Sequence, residues 1–560
     1  MSLEQKPRSD ITGRLARRLT RTSLGKRGAE ALENLRHRTV PVHWSNMFGV
    51  IAFACVVVIM VTGVILMFHF VPSSATVEYD GRVSTLHGQE VSKAFASTLH
   101  ISFDVPGGLL VRQAHHWAAL LLPAALIAQL LVTFFTGGFR KPRRAGWVLL
   151  FLILVTALAG GWSGYALPDD MLSGTGLRIF EGILLSVPVV GTWLKDLFFG
   201  GLFPGQIIEN LYPIHIAVVP MLLLALIAVR TAILYRRKPP QFAGPGRTEA
   251  NVVGVPVLPN AAARAGGLFL IVTGILLLIS VTVTINPIWL YGPASPGNAG
   301  AGSQPDWYTG FLDGALRLVP PGWEIVAFER TWTLAVLAPL AVITIFLLLV
   351  ATYPFIEGWI AADNREHHIL DRPRNTPTRT GIGVASIVFY GTLWAAGSAD
   401  LIAVAFSVTI EGIVLALQVL LVAGPIIAFT VARRVCIGLQ RKDREILLHG
   451  FETGRIVRLP GGEYVEVHQQ LDEYERWRLL DTEAPTPFTL QPAGGRVRWT
   501  LRFRALLSRF FFEDRLDAAS PARDRPLDSY GLGSSAAISV SASQDSYASS
   551  VQPQSPTSAT

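Results

Sequence analysis

The 560-residue chain is 50% hydrophobic, carries 51 glycines and has only 16% charged residues, against roughly 25% in an ordinary soluble domain. Its mean hydropathy of +0.41 excludes a string of soluble globular domains, and two cysteines, Cys55 and Cys436, supply no disulfide framework or CxxC metal site. The formal charge of +8 raises nucleic acid as a partner, but its distribution argues for another origin.

Apolar, low-charge windows run at about 48–70, 113–136, 147–167, 213–229, 265–286, 332–353, 381–397 and 401–429. Most are long enough to cross a hydrocarbon core as helices of about 20 residues. The expected fold is therefore an all-α membrane protein of about eight spans, with the border between the seventh and eighth ill-marked near Gly397 and Asp400. The segments expected are 1–44 before the first span, 45–236 as a four-helix bundle, and 237–430 as a second membrane region with a long loop at 287–331. An extension over 431–518 and a Ser-rich tail over 519–560, which reads as disordered, complete the chain. Within the extension, 436–482 is expected to form short helices or a small β element around Gly454, Gly461 and Gly462, and Trp499 to Phe512 an amphipathic surface stretch.

Charge orients the bundle. Residues 1–44 and the connections 137–146, 230–264 and 356–379 total 24 basic and 9 acidic groups, whereas 72–111, 168–212 and 287–331 total 6 and 13. Under the positive-inside rule both termini are cytoplasmic in a multi-pass plasma-membrane protein. The excess charge is thus a topology signal, and no nucleic-acid groove is needed.

Of 12 histidines, few fall at membrane depth: His69 ends the first span, His115 and His116 open the second, and His215 opens the fourth. The second and fourth spans run in the same direction, so these imidazoles enter at similar depths. Ionisable groups there are costly and usually partnered; two facing imidazoles can ligate one haem iron, or each can make a separate polar contact. Gly49 and Gly63, 14 residues apart on the first span, share nearly one face, which admits a flat macrocycle or another helix. In the loops, Gly164-Tyr165 closes the third span and Pro305-Asp306-Trp307-Tyr308 follows the fifth. Asp306 there can take a proton beside a planar ligand or cap the helix after it.

Taken together, strings such as Arg112-Gln113-Ala114-His115-His116-Trp117, Leu167-Pro168-Asp169-Asp170-Met171-Leu172, Pro305-Asp306-Trp307-Tyr308 and Arg365-Glu366-His367-His368-Ile369-Leu370 resemble the cytochrome b subunit of the cytochrome bc1 complex, quinol–cytochrome c reductase, in its long actinobacterial form. The resemblance covers about 36–440. It implies a respiratory subunit that oxidises menaquinol at the outer face, passing electrons to a Rieske iron–sulfur partner and a b haem. It also implies a cytochrome c subunit, a dimeric complex and a terminal-oxidase supercomplex as partners. On this map His115 and His215 hold the outer haem, Gly63 and Gly164 lie against its ring, Gly49 faces an inner ring and Arg112 belongs to the cofactor pocket. Asp306, Tyr308, Tyr165 and Pro305 form the quinol site, with Asp306 standing where the family usually has Glu.

Four positions depart from the family pattern. The inner-haem histidines are expected at Gln129 and Val229, the inner glycine at Leu150, and an arginine at Asn210. These imply one b haem, at the outer site, where the family has two. They also open an alternative role, a divergent single-haem paralog in assembly, regulation or truncated redox chemistry without a complete Q cycle. A solute transporter fits the span count alone. Which of His115 and His116 is the ligand rests on family register.

Overall fold

A computed structural model describes residues 23–295, 304–479, 487–490 and 498–515. The Ser-rich tail expected over 519–560 lies outside these.

Among the described residues, eight helices are long and apolar enough to cross a membrane: Trp44–Leu66, Gly108–Phe135, Arg144–Ala166, Ile207–Tyr235, Val257–Thr282, Leu334–Ala361, Pro377–Gly397 and Ile410–His449. They are the first to eighth spans below, and the expected number holds. The doubtful border is settled by a short separate helix, Ala399–Phe406, after which the eighth span begins at Ile410. That last helix runs without a break through residue 431, where composition shifts. Among the described residues, strands are confined to two-stranded pieces outside the spans.

Small side chains explain how the first spans come together. Ala54 and Cys55 on the first span and Ala114 and Ala118 on the second are almost wholly buried, with Leu122, Ala125 and Leu126 continuing the seam. The third, fourth and fifth spans add Leu150, Ile153, Leu154, Leu223, Val272 and Leu276 to the same core. Without a hydrophobic drive between helices in lipid, such small residues gain packing by letting backbones approach.

Polar clamps then fix the register. The Gln113 amide donates to Ile285 O at 2.9 Å and its Oε1 accepts from Ile285 N at 2.8 Å, tying the second span to the chain leaving the fifth. At the other end of the bundle Arg379 grips Glu357 through Nε (2.9 Å) and Nη2 (2.5 Å) and Asp371 through Nη1 (2.8 Å), while Arg140 holds Asp371 at 2.9 Å. All four side chains are largely or wholly buried, so this is a desolvated charge network in which each charge is matched.

The helix Trp499–Phe512 is formed as expected and leaves Trp499, Leu501, Phe503, Leu506 and Phe510 exposed. It docks on spans six and seven through Arg504 Nε to Trp359 O (2.6 Å) and Thr378 Oγ1 to Phe510 O (3.2 Å). Residues 441–479 belong to a compact unit of their own. Its centre is an antiparallel hairpin, Phe451–Arg458 with Tyr464–Gln469, turning at Gly461 and Gly462, which is the small β element expected there.

Candidate functional site

The second and fourth spans bring His115 and His215 next to one another, with ring centroids 6.2 Å apart and planes inclined at 67°, an edge-on arrangement. Each ring is backed by a hydroxyl. Thr62 Oγ1 donates to Val58 O at 2.6 Å and accepts from His115 Nδ1 at 2.9 Å; Ser163 Oγ donates to Gly160 O at 3.1 Å and accepts from His215 Nδ1 at 3.1 Å. Since each hydroxyl spends its proton on a carbonyl, each imidazole carries its proton on Nδ1 and keeps the Nε2 lone pair free.

Glycines make the room. A Cβ on Gly63 would lie 3.2 Å from His115 Cε1, and one on Gly164 only 2.5 Å from His215 Cε1. Thr62 and Ser163 immediately precede these two glycines, so one hydroxyl-glycine pair serves each ring. Arg112, one turn before His115, donates Nη2 to Asn286 O at 2.6 Å and leaves its buried Nη1 without a partner. Asn210 is committed to Phe198 O at 2.8 Å. His69 lies beyond the first span and is exposed.

His116 turns the other way. Its Nε2 sits 3.0 and 3.1 Å from the two oxygens of Asp306, which also accepts from the Tyr308 hydroxyl at 2.9 Å. Burial and the Asp306 carboxylate push the Tyr308 phenol well above its usual pKa, so it stays a donor, and Tyr165 is near enough to add to the effect. The Tyr308 ring lies over Gly161, where a Cβ would collide with its hydroxyl. Trp307 anchors the loop at both edges, donating Nε1 to Leu120 O (3.3 Å) and accepting from Trp394 Nε1 on its carbonyl (2.9 Å). Pro305 and Gln304 precede it, the latter bonded to Asp400 at 2.9 Å. Nearby, Asp170 caps the helix Met171–Ser186 from a buried position, and burial pushes its pKa up.

The opposite end of the same bundle is built differently. The fourth span contains a π turn over Ile214–Val218, starting beside His215. In an unbroken α-helix the residue 14 further on returns to within about 40° of the starting face; one inserted residue turns it about 140° away. Val229 is accordingly 48% exposed on the outside of the bundle. Arg230 takes the inward place, donating Nε to Gly146 O at 3.3 Å. The expectation that Val229 faces the inner position is thus corrected by the π turn. Gln129 is inward as expected, and Leu150 is buried to 1% exposure. The space expected beside Gly49 for a ring is taken by Gln129, whose Nε2 lies 3.4 Å from where a Cβ would stand.

Residues 120–293 match the family model described as cytochrome b(N-terminal)/b6/petB. The cytochrome bc1 complex cytochrome b subunit of Streptomyces coelicolor is 45% identical over 505 residues, spanning 89% of this chain and 92% of the relative. Those of Mycobacterium tuberculosis (45%; 79% of this chain, 80% of the relative) and Corynebacterium diphtheriae (43%; 79% and 82%) are similar to it as well. The chain belongs to the cytochrome b subunit family of the cytochrome bc1 complex.

A solved chain titled hyperthermophilic respiratory Complex III shares the fold of this cytochrome b, with a TM-score of 0.54 at 17% identity, covering 71% of this chain and 94% of that one. For a cytochrome b, the sequence-predicted residues sort into two groups. His115, His215, Gly63, Gly164 and Arg112 gather at one end, with Asp306, Tyr308 and Pro305 in the adjoining loop and Tyr165 beside them at the end of the third span. Gln129, Leu150, Gly49 and Arg230 meet at the other. Sequence reasoning missed the His116–Asp306 pair and the backing hydroxyls. The repeated hydroxyl-glycine dipeptide was the available signal for the latter.

Proposed function

We propose that this cytochrome b oxidises a quinol, menaquinol by its resemblance, in a respiratory bc1-type complex, and holds one b haem between His115 and His215. His115 and His215, with ring centroids 6.2 Å apart, would hold a haem iron between them through their ring nitrogens. That pair, with both Nδ1 atoms locked and both Nε2 atoms free, is the observation that carries the reading. Gly63 and Gly164 fit a flat ring lying close to the helices, and the unpaired Arg112 Nη1 suits an acidic substituent. Bound there, haem supplies a one-electron redox centre.

The chain's own work is with protons. Asp306 accepts hydrogen bonds from His116 and Tyr308, so its carboxylate is oriented and ready to take a quinol hydroxyl proton. His116, held on the same carboxylate, stands beside that proton, while the phenol of Tyr308 remains a donor. Pro305, Trp307 and Tyr165 wall this loop. The basic and acidic connections support placing the quinol loop outside and both termini in the cytoplasm. Family membership supports Rieske iron–sulfur and cytochrome c subunits as partners within a dimeric complex and an oxidase supercomplex.

The inner position does not fit a haem. Gln129 and Arg230 stand where ligands would be needed, a guanidinium has no lone pair to offer iron, and Leu150 fills the ring's side. A haem-to-protein ratio with a reduced-minus-oxidised spectrum tests this: one b haem is expected, and two per chain would overturn the single-haem reading. The same inner departures favour a second reading, a single-haem paralog without a complete Q cycle. Quinol–cytochrome c turnover abolished by an inhibitor of the inner quinone site would exclude that second reading.

A further inference from the structure

The inner end of the bundle encloses a cavity of ≈ 200 Å³. Arg143, Arg230 and Arg247 line it, as does His43, and among the described residues no Asp or Glu does. Arg143 is the most telling of these. It is only 5% exposed; Nε donates to Gly138 O at 2.9 Å and Nη2 to His367 O at 2.5 Å, while Nη1 has no partner. A buried donor left unmade is rare and calls for an acceptor that completes it. Arg230 and Arg247 are held by the carbonyls of Gly146 and Phe242, contacts that position a guanidinium without cancelling its charge.

The carboxylates whose field reaches Arg143, Glu249 and Glu366, are engaged elsewhere. Glu249 accepts the backbone N–H groups of His368 and Ile369, and Glu366 pairs with His368 at 3.4 Å. Burial and Arg140 push Arg143 down to about 10, and burial and Arg247 lower His43. Both directions are those of a cationic wall short of counter-charge.

We propose that this cavity, standing where the family would carry its inner haem, is a binding site for a phosphate-class oxyanion, borne on a phospholipid headgroup or free. Planar guanidinium forks match the oxygens of phosphate, and amide donors such as Gln129 share the wall. An acceptor on Arg143 Nη1 completes that group and supplies the missing negative charge. The inference rests on the single-haem reading of this end, which the haem-to-protein ratio tests separately, and is independent of the quinol chemistry at the other.

The test uses the full chain purified in mild detergent. Native mass spectrometry reads a retained phospholipid; equilibrium dialysis of delipidated protein reads radiolabelled inorganic phosphate. One equivalent per chain in the first arm alone assigns the headgroup, in the second alone assigns free phosphate, and in both assigns the shared chemistry. R143Q and R230Q should each weaken the positive arm at least tenfold; R230Q serves if R143Q fails to fold, because Arg143 also holds two carbonyls. No stoichiometric binding in either arm, or binding unchanged in folded R230Q, would overturn the proposal.

Discussion

His116 Nε2 lies 3.0 Å from Oδ1 of Asp306, a residue 190 positions further along the chain, while the adjacent His115 faces His215. Neighbours on a helix point about 100° apart, so one turn of the second span feeds two sites. One imidazole faces the bundle interior and the other the loop that carries Asp306.

On the proposed reading, that division separates the electron carrier from the proton acceptor. D306N should lower quinol oxidation about 100-fold, within the range of a lost general base, with the haem spectrum retained. H116A should also slow turnover and keep the spectrum, whereas H115A should lose it. Steady-state turnover beside a reduced-minus-oxidised spectrum checks all three; spectral loss in H116A alone would reverse the assignment.

Thr62 and Ser163 hold the imidazoles by Nδ1. Removing such outer partners typically costs a metal site about 10–100-fold in affinity. T62V and S163A are therefore expected to lose haem faster on dilution or challenge with apomyoglobin, without loss of helix content. Haem transfer rates give the measurement.

Gly164 leaves less room than Gly63. An added Cβ meets His215 at 2.5 Å but His115 at 3.2 Å, so G164A should disturb its ring more than G63A. Overpacking of this kind costs about 1–3 kcal/mol. Haem content and the width of the reduced band should fall and broaden more in G164A; equal effects would count against the ring placement.

Arg379 binds two buried carboxylates, Glu357 and Asp371. R379A should destabilise the bundle by about 3–5 kcal/mol, because two charges lose their partner. Burial raises the Asp371 carboxyl, but Arg140 and Arg379 outweigh it and hold the group well below its usual range. A depressed native pKa gives stabilisation that is full above the unfolded value of about 3.9 and lost as pH falls toward the native one. Thermal melting between neutral and acidic pH should show this loss in the parent and a shallower dependence in R379A.

Much of the fold was legible because membrane spans announce themselves by length and apolarity. All eight were found, although Ile207–Tyr235 extends beyond its apolar window and the eighth span starts later than the window implied. His115, His215, Asp306 and Tyr308 were legible as motif residues. The register after His215 was not, since a π turn is one extra residue in a hydrogen-bond ladder and leaves no mark in composition. Nor were the pairing of His116 with Asp306 and the Arg379 network, whose partners lie far apart or across a turn.

The amino-acid order by itself determined the number of spans, the charge asymmetry of their connections, and the residue types at each depth. Those follow from local chemistry, the cost of placing polar groups in hydrocarbon. Tertiary structure alone decided which face each residue presents. It set His115 against His215 and His116 against Asp306, turned Val229 outward, and brought Arg143, Arg230 and Arg247 around one cavity. Facing is a property of helix rotation and packing, and a single inserted residue reassigns every side chain beyond it.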